Sequence, residues 1–534
     1  MLDVLIRGGE VLDGSGGPPV PSDVGIAADK IAVIGPPGRL TDADATLVID
    51  ASGRVVCPGF INILSHSYFS ILVDPRSLGE LTQGVTTQIF GEGSSMGPLN
   101  PQMRAYMQQA SDGEGYEVCW TRLSEYLHHV EQRGASQNVA SFIGAGTLRT
   151  HVVGYDDRPA TSAEIDRMQA LVAEEMADGA LGIGSSLIYP PGSYASTSEL
   201  TAICAAAAAY GGCYASHVRN EGADLLAATD EFLGICRDAE LPGEHWHLKA
   251  SGSGNWGLMN GAIERLERAR QAGQPVTADV YPYPASSTGL TTIIPDSFHE
   301  GGPPALYKRL RDPQARASIR RELEAGARWG DVSSAEGVLI LHAKTEQNRQ
   351  YQGRTLAQVA AEMGTDPIEA AMDLIASDES RIGVAFFSMS EDNLRKALRQ
   401  PWVAFCSDGA SMAPEGKFLE APTHPRAYGS FARVLGHYVR DERVLSLPEA
   451  VRRMSALPAA TLGLSGRGQL AEGFFADVVV FDPATIADLA TFDQPHQLSA
   501  GVSEVLVNGQ LTISGGTFTG KLAGRALAGP GARQ

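Results

Sequence analysis

Short apolar runs separated by Gly and Asp open the chain. Val4–Ile6 and Val11–Leu12 flank Gly8-Gly9, Val24–Ile26 and Ile31–Ile34 flank Asp29, and Leu47–Ile49 and Val55–Val56 flank Ser52-Gly53. Apolar runs of this length bounded by turn residues predict strands joined by tight turns. The same pattern returns near the far end, in Asp477–Phe481 before Asp482-Pro483 and in Val505–Val507, Asn508-Gly509, Leu511–Ile513. Strand clusters at both ends predict one small β-sandwich domain from residues 1–57 and 464–534, closing around a long middle.

The middle alternates strands with helices. Val85–Phe90, Ala140–Ile143, Gly182–Ser185, Cys213–Ser216, His245–Leu248, Val276–Val280, Val338–Leu341 and Val403–Cys406 read as strands. Between them, Thr161–Asp178 is the clearest helix. Thr161 and Glu164 form a capping box, Ile165, Met168, Leu171, Val172 and Met176 keep helical spacing, and Gly179 closes the end. Ser446, Pro448 and Glu449 start another helix. Repeated β/α alternation at this length predicts an α/β fold with a (β/α)8 TIM-like barrel over residues 58–463. A charged, helical stretch at about 291–335 breaks the rhythm and reads as an insertion. The chain shows no repeat and no low-complexity segment.

Composition narrows the function. With 42 Lys+Arg against 62 Asp+Glu, a formal charge of −20 and no basic run, the chain is a poor nucleic-acid binder. No window of ~18 apolar residues predicts a membrane span, and no signal peptide is evident. The six cysteines form no CxxC pair and sit mostly within apolar runs, the pattern of reduced, buried thiols in a cytoplasmic protein.

In a barrel, chemistry gathers at the C-terminal ends of the strands. The polar residues expected there are Ser65-His66, Glu92, His217, His247 with Lys249, Asp279 with Tyr281 and Tyr283, and Asp408. Histidines with a glutamate and an aspartate at successive strand ends suit a zinc-type site with an open position. Such a metal lowers the pKa of water toward ~7, and Asp408 is placed to move the proton. Each position also has a plain reading: a hydrogen-bonded structural histidine, a turn at Ser407-Asp408-Gly409, a helix N-cap at Glu92. His128, His129, His151, His299, His342 and His496 are read as structural or surface residues.

Several longer segments then point to a family: DVLIRGGEVLDGSG, VCPGFIN, QGVTTQIFGEGSSMGP, SSLIYPPGSYAS, YASHVRNEG, HLKASG, VTADVYPYPASSTGL, CSDG, HPRAYGSFARVLGHYVRD and GQLAEGFFADVVVFDP. The chain resembles the N-acyl-D-amino-acid deacylase (D-aminoacylase) branch of the amidohydrolase superfamily over nearly its whole length. The resemblance implies a barrel with a terminal β domain, and zinc held by His217 and His247. Glu92 stands where the family usually has a cysteine. It further implies that Asp408 is the catalytic acid/base, and that Lys249, Tyr281, Ser287 and Arg426 contact the carboxylate of a small-molecule substrate. Tyr189 is a further contact candidate.

The sequence departs from the superfamily on the first strand. In PGFINILSHSYF, Leu64 replaces the first histidine of H-x-H, Asn62 replaces the aspartate, and His66 keeps the second histidine. A single divalent metal is therefore expected, with the second site lost and His66 only a candidate ligand. Ala145 replaces a frequent histidine before TLR. Three readings stay open: a mononuclear N-acyl-D-amino-acid deacylase; a diverged amidohydrolase acting on a cyclic amide, carbamate or specialised metabolite; and a non-catalytic scaffold. Leu64 and Ala145 favour the last, and joint retention of Glu92, His217, His247 and Asp408 opposes it. The oligomeric state is left open.

Overall fold

The computed structural model describes residues 1–111, 113–325 and 334–532. Eight parallel segments make the barrel: Phe60–Asn62, Val85–Phe90, Asn138–Ser141 continued by Ile143–Gly144, Gly182–Ser186, Cys213–His217, Gly243–His245, Val276–Val280 and Val403–Phe405. The third segment is interrupted at Phe142, whose N–H still reaches Phe90 O at 2.8 Å. Closure between the last and first segments comes from loop backbone: Asp408 N–H donates to Leu64 O (3.0 Å) and His66 N–H to Gly409 O (2.9 Å).

The strand residues are almost wholly buried because both faces are covered. Ile61, Ile63, Ile89, Ala140, Phe142, Cys213, Ala215, Ala404 and Cys406 fill one core with Trp246. The alternate positions Phe60, Val85, Phe90, Val139, Ile143, Ile183, Tyr214, Val403 and Phe405 pack in a separate one with the surrounding helices. That division is the two-residue period of a strand read across a barrel wall. Among the helices, Ser162–Ala177 is capped by Thr161 and Glu164 as expected.

The chain's two ends join in one nine-stranded sheet. Val478–Phe481 pairs antiparallel with Val55–Pro58, stitching the C-terminal strands to the N-terminal ones. Val478, Val480 and Leu506 face this domain's own core with Val4, Ile6, Val24 and Ile26. Val479, Phe481, Val505 and Val507 face the barrel.

Two expectations need correction. Val338–His342 is not a barrel strand: it pairs antiparallel with Gly383–Phe386, which pairs in turn with Ser286–Gly289. These strands and their helices share a separate apolar cluster running from Leu290 to Phe386. Part of the 291–335 stretch, 326–333, lies outside the described residues. A buried strand and its short apolar run look alike whichever sheet receives them, so periodicity had no means of telling the two sheets apart. The strand expected at His245–Leu248 ends at His245, which leaves His247 in the following loop with φ 37°.

Candidate active site

The side chains expected at the strand ends converge. Glu92 follows Val85–Phe90, His217 ends Cys213–His217, and His247 lies two residues past Gly243–His245. One ligand atom from each of these three lies within 4.8 Å of the others. Glu92 Oε1 is 2.7 Å from His217 Nδ1 and 3.4 Å from His247 Nε2. The imidazole rings meet edge to face with centroids 4.4 Å apart. Glu92 Oε2 is 2.9 Å from His66 Nε2, and the same nitrogen is 3.0 Å from Asp408 Oδ1. His66, Glu92 and Asp408 thus form a second group within 4.8 Å.

Leu64, in the superfamily's histidine position, is 0% exposed and packs in the barrel core. Ala145 is buried at the start of the helix Ala145–Val152. Neither can ligate a metal.

Sequence reasoning missed Glu221. Its Oε1 is 3.1 Å from His247 Nδ1 and 2.6 Å from Lys249 Nζ, and its Oε2 is 3.5 Å from His217 Nε2. One carboxylate therefore stands behind both histidines, on the sides away from Glu92. The signal was present in HVRNEG, where Glu221 lies four residues after His217, but nothing in that spacing says that the loop turns back on both rings.

The substrate-contact candidates surround Tyr281. Arg426 places its guanidinium 4.8 Å from the Tyr281 ring centroid, and Lys249 Nζ lies 5.6 Å from it. Both cations are 5% exposed. Arg426 is bound to Asp408 Oδ2 (2.6 Å) and to Ser287 O (3.1 Å). Ser287 thus contributes its carbonyl to the positioning of Arg426. Tyr189 stacks edge to face on His217 at 5.5 Å, and its hydroxyl is 2.7 Å from Thr288 Oγ1 on the inserted sheet.

The charges reinforce one another. Burial works against ionised Glu92, but the bonds from His217, His247 and His66 outweigh it and hold the carboxyl well below its usual range. Burial likewise opposes ionised Asp408, yet the charge of Arg426, then of His247 and the bond from His66, pull it down to about 2. Burial and Lys249 push His247 down, while Glu221 and Asp408 prevail and raise it to about 9. His66 is held well above the usual histidine range by Asp408 and Glu92 despite its burial.

The residues fit a divalent metal. A carboxylate and two imidazoles are a zinc-type donor set. Glu221 supplies the carboxylate that commonly orients ligand histidines from behind. His217 Nδ1 and His247 Nε2 are the ring nitrogens turned to Glu92, and Glu221 stands behind the opposite pair. The negative field that draws protons onto His247 and His66 also favours a dication beside them.

Comparison with known proteins identifies the family. A model of the amidohydrolase family matches residues 47–513. A D-aminoacylase of Alcaligenes xylosoxydans xylosoxydans is 36% identical over 531 residues, covering 99% of this chain and 98% of the relative. An N-acyl-D-glutamate deacylase of the same organism is 34% identical over 511 residues, covering 95% of this chain and 93% of the relative. Among solved structures, the N-acyl-D-glutamate deacylase of Bordetella bronchiseptica matches with a TM-score of 0.82 at 31% identity, covering 99% of both chains. That enzyme was captured with zinc and a phosphonate mimic of the reaction's tetrahedral intermediate. A D-aminoacylase with a binuclear metal centre, described as activated by one metal and attenuated by the second, matches with a TM-score of 0.81 at 34% identity, covering 99% of this chain and 100% of that one.

A barrel with a terminal β domain and a carboxylate–histidine centre at its strand ends defines a hydrolase class, and the chain belongs to the amidohydrolase family. Within that family its resemblance is to the N-acyl-D-amino-acid deacylases.

Proposed function

We propose that the protein cleaves the amide bond of N-acyl-D-amino acids, using one zinc ion held by Glu92, His217 and His247. The observation that carries this reading is the convergence of that donor set, Asp408 and two buried cations around Tyr281. When bound, zinc supplies Lewis-acid chemistry: it polarises a carbonyl and lowers the pKa of water. Glu221 fixes the orientation of both histidines. Asp408 Oδ1 accepts the proton of the attacking water and returns it to the leaving nitrogen. Arg426 and Lys249 hold the substrate carboxylate by charge-assisted bonds, with Tyr281, Ser287 and Tyr189 lining its place. Burial of both cations strengthens those bonds, because little water competes for them.

Leu64 supports a mononuclear centre, since it removes one donor of a second site and the remaining group, His66, Glu92 and Asp408, shares Glu92 with the first. His66 then serves as a partner of Asp408 more than as a ligand. Among the described residues no helix is long and apolar enough to cross a membrane. Six free cysteines, five of them buried, support a cytoplasmic location.

The test is metal analysis of the purified protein followed by amine release from a panel of N-acyl-D-amino acids. Absence of bound metal together with no turnover after zinc loading sinks the proposal. Leu64 and Ala145 favour a second reading, a diverged member acting on a cyclic amide or carbamate. Arg426→Ala separates the two on matched substrates with and without a carboxylate, since losing the clamp adds to any effect through Asp408 only for the former.

A further inference from the structure

Asp408 has a left-handed backbone, φ 47°. A residue with a side chain is strained there and stays only where its surroundings hold it. The neighbouring bonds form one bracket. Asp408 N–H donates to Leu64 O at 3.0 Å. Ser407 N–H donates to Asn62 Oδ1 at 2.9 Å. The Ser407 hydroxyl donates to Glu80 Oε1 at 2.9 Å and accepts from Gly409 N–H at 3.2 Å. Asn62 Nδ2 donates to both Ser407 Oγ (2.7 Å) and Glu80 Oε1 (2.8 Å). Ser65 Oγ reaches the same Glu80 oxygen at 3.3 Å.

Asn62, Glu80 and Ser407 are each 0% exposed. Glu80 has no ion-pair partner among the described residues, and its Oε2 is buried without a hydrogen bond. A carboxyl buried in this way is costly, and an apolar residue would fill the place more cheaply. Its partners explain its presence: they are the groups that bound Ser407-Asp408-Gly409. The bracket is also built from the first strand, where Asn62 and Leu64 occupy the superfamily's aspartate and histidine positions.

We infer that Asn62 and Glu80 are positioning residues for Asp408, so that the first strand, with Asn62 and Leu64 in the superfamily's aspartate and histidine positions, braces the backbone of the acid/base group. This rests on Asp408 serving as the acid/base. Glu80 acts through Ser407 and touches neither substrate nor metal ligand.

The experiment measures kcat, KM, the kcat–pH profile, metal content and melting temperature for the zinc-loaded wild type, Glu80→Ala, Glu80→Gln, Ser407→Ala and Asp408→Asn. Glu80→Ala and Ser407→Ala are expected to lower kcat by about tenfold or more, because a small misplacement of a proton-transfer group is costly. KM and metal content stay near wild type, and the acid limb of the profile moves. Glu80→Gln keeps the acceptor oxygen and restores kcat to within about threefold of wild type. Ser407→Ala removes a single oxygen, so it reports even where Glu80→Ala does not fold. The inference is overturned if these variants lower only the melting temperature, or if metal content falls in step with kcat. It is overturned alone if they keep wild-type kcat while Asp408→Asn is inactive. Full turnover by Asp408→Asn, or none by the wild type, fails the reading beneath it as well.

Discussion

Arg426 is bound to Asp408 by a buried contact of 2.6 Å between Nη1 and Oδ2. The cation proposed to hold the substrate's carboxylate therefore also holds the carboxylate proposed to move the proton. Substrate recognition and acid/base chemistry meet on one side chain. Arg426 is fixed from the other side by Ser287 O and lies over Tyr281, so its place is set before any substrate arrives.

Replacing Arg426 should therefore harm more than binding. Arg426→Ala is expected to raise KM for N-acyl-D-amino acids and to lower kcat/KM by about 100-fold, the scale of losing a buried charge-assisted contact. The corresponding carboxamides, which lack the charge, should lose much less. Steady-state kinetics on matched acid and amide substrates checks this, and equal losses on both would count against a carboxylate clamp.

Removing a metal donor should abolish metal retention. Glu92→Ala and His247→Ala are expected to purify with less than about a tenth of the wild-type zinc, since losing even an outer partner of a ligand costs 10–100-fold in affinity. Chelation of the wild type should lower its melting temperature, because a ligand that binds only the folded chain stabilises it. Elemental analysis and thermal melts with and without chelator report both effects.

Leu64→His restores the residue type that a second site needs. Its expected outcome is metal stoichiometry rising from one toward two per chain, as the new imidazole joins His66, Glu92 and Asp408. The cost is an imidazole in place of a fully buried leucine, on the order of 1–3 kcal/mol of stability. Stoichiometry held at one in a folded variant would show that more than Leu64 stands in the way.

Glu80 should leave a mark on stability against pH. Burial raises its carboxyl from 4.5 to about 7, against the opposing bonds from Ser407, Asn62 and Ser65. Between those values the folded chain keeps a proton that the unfolded chain has lost. The group's contribution is thus full below 4.5 and disappears as pH rises to about 7. A shift of this size is worth about 3 kcal/mol. Glu80→Gln should flatten the fall over that window in denaturant melts of the metal-free protein.

Cysteine chemistry checks the packing. Cys119 is exposed, while Cys57, Cys204, Cys213, Cys236 and Cys406 are buried. Burial pushes the Cys204, Cys213, Cys236 and Cys406 thiols well above the usual range. A thiol reagent should therefore titrate one group in the native protein and six after unfolding.

Local order was legible in the residues. The strand at Val478–Phe481, the Thr161–Glu164 cap and the strand ends at Glu92, His217 and Asp408 follow from short-range sterics and burial, which neighbouring residues carry. The family resemblance, carried by PGF, marked Leu64 as standing where a histidine is expected. Other features required the folded chain. Val338–His342 could not reveal which sheet would take it, because its neighbours supply no pairing partner. Glu221 behind two histidines, Arg426 on Asp408 and Glu80 beneath Ser407 join positions 4 to 327 residues apart. Residue types and periodicity determined the barrel and its terminal β domain, and placed Glu92, His217, His247 and Asp408 at or just past strand ends. Only closure of the barrel decided which charged groups meet, since an electrostatic contact depends on distance in space, which chain spacing does not carry.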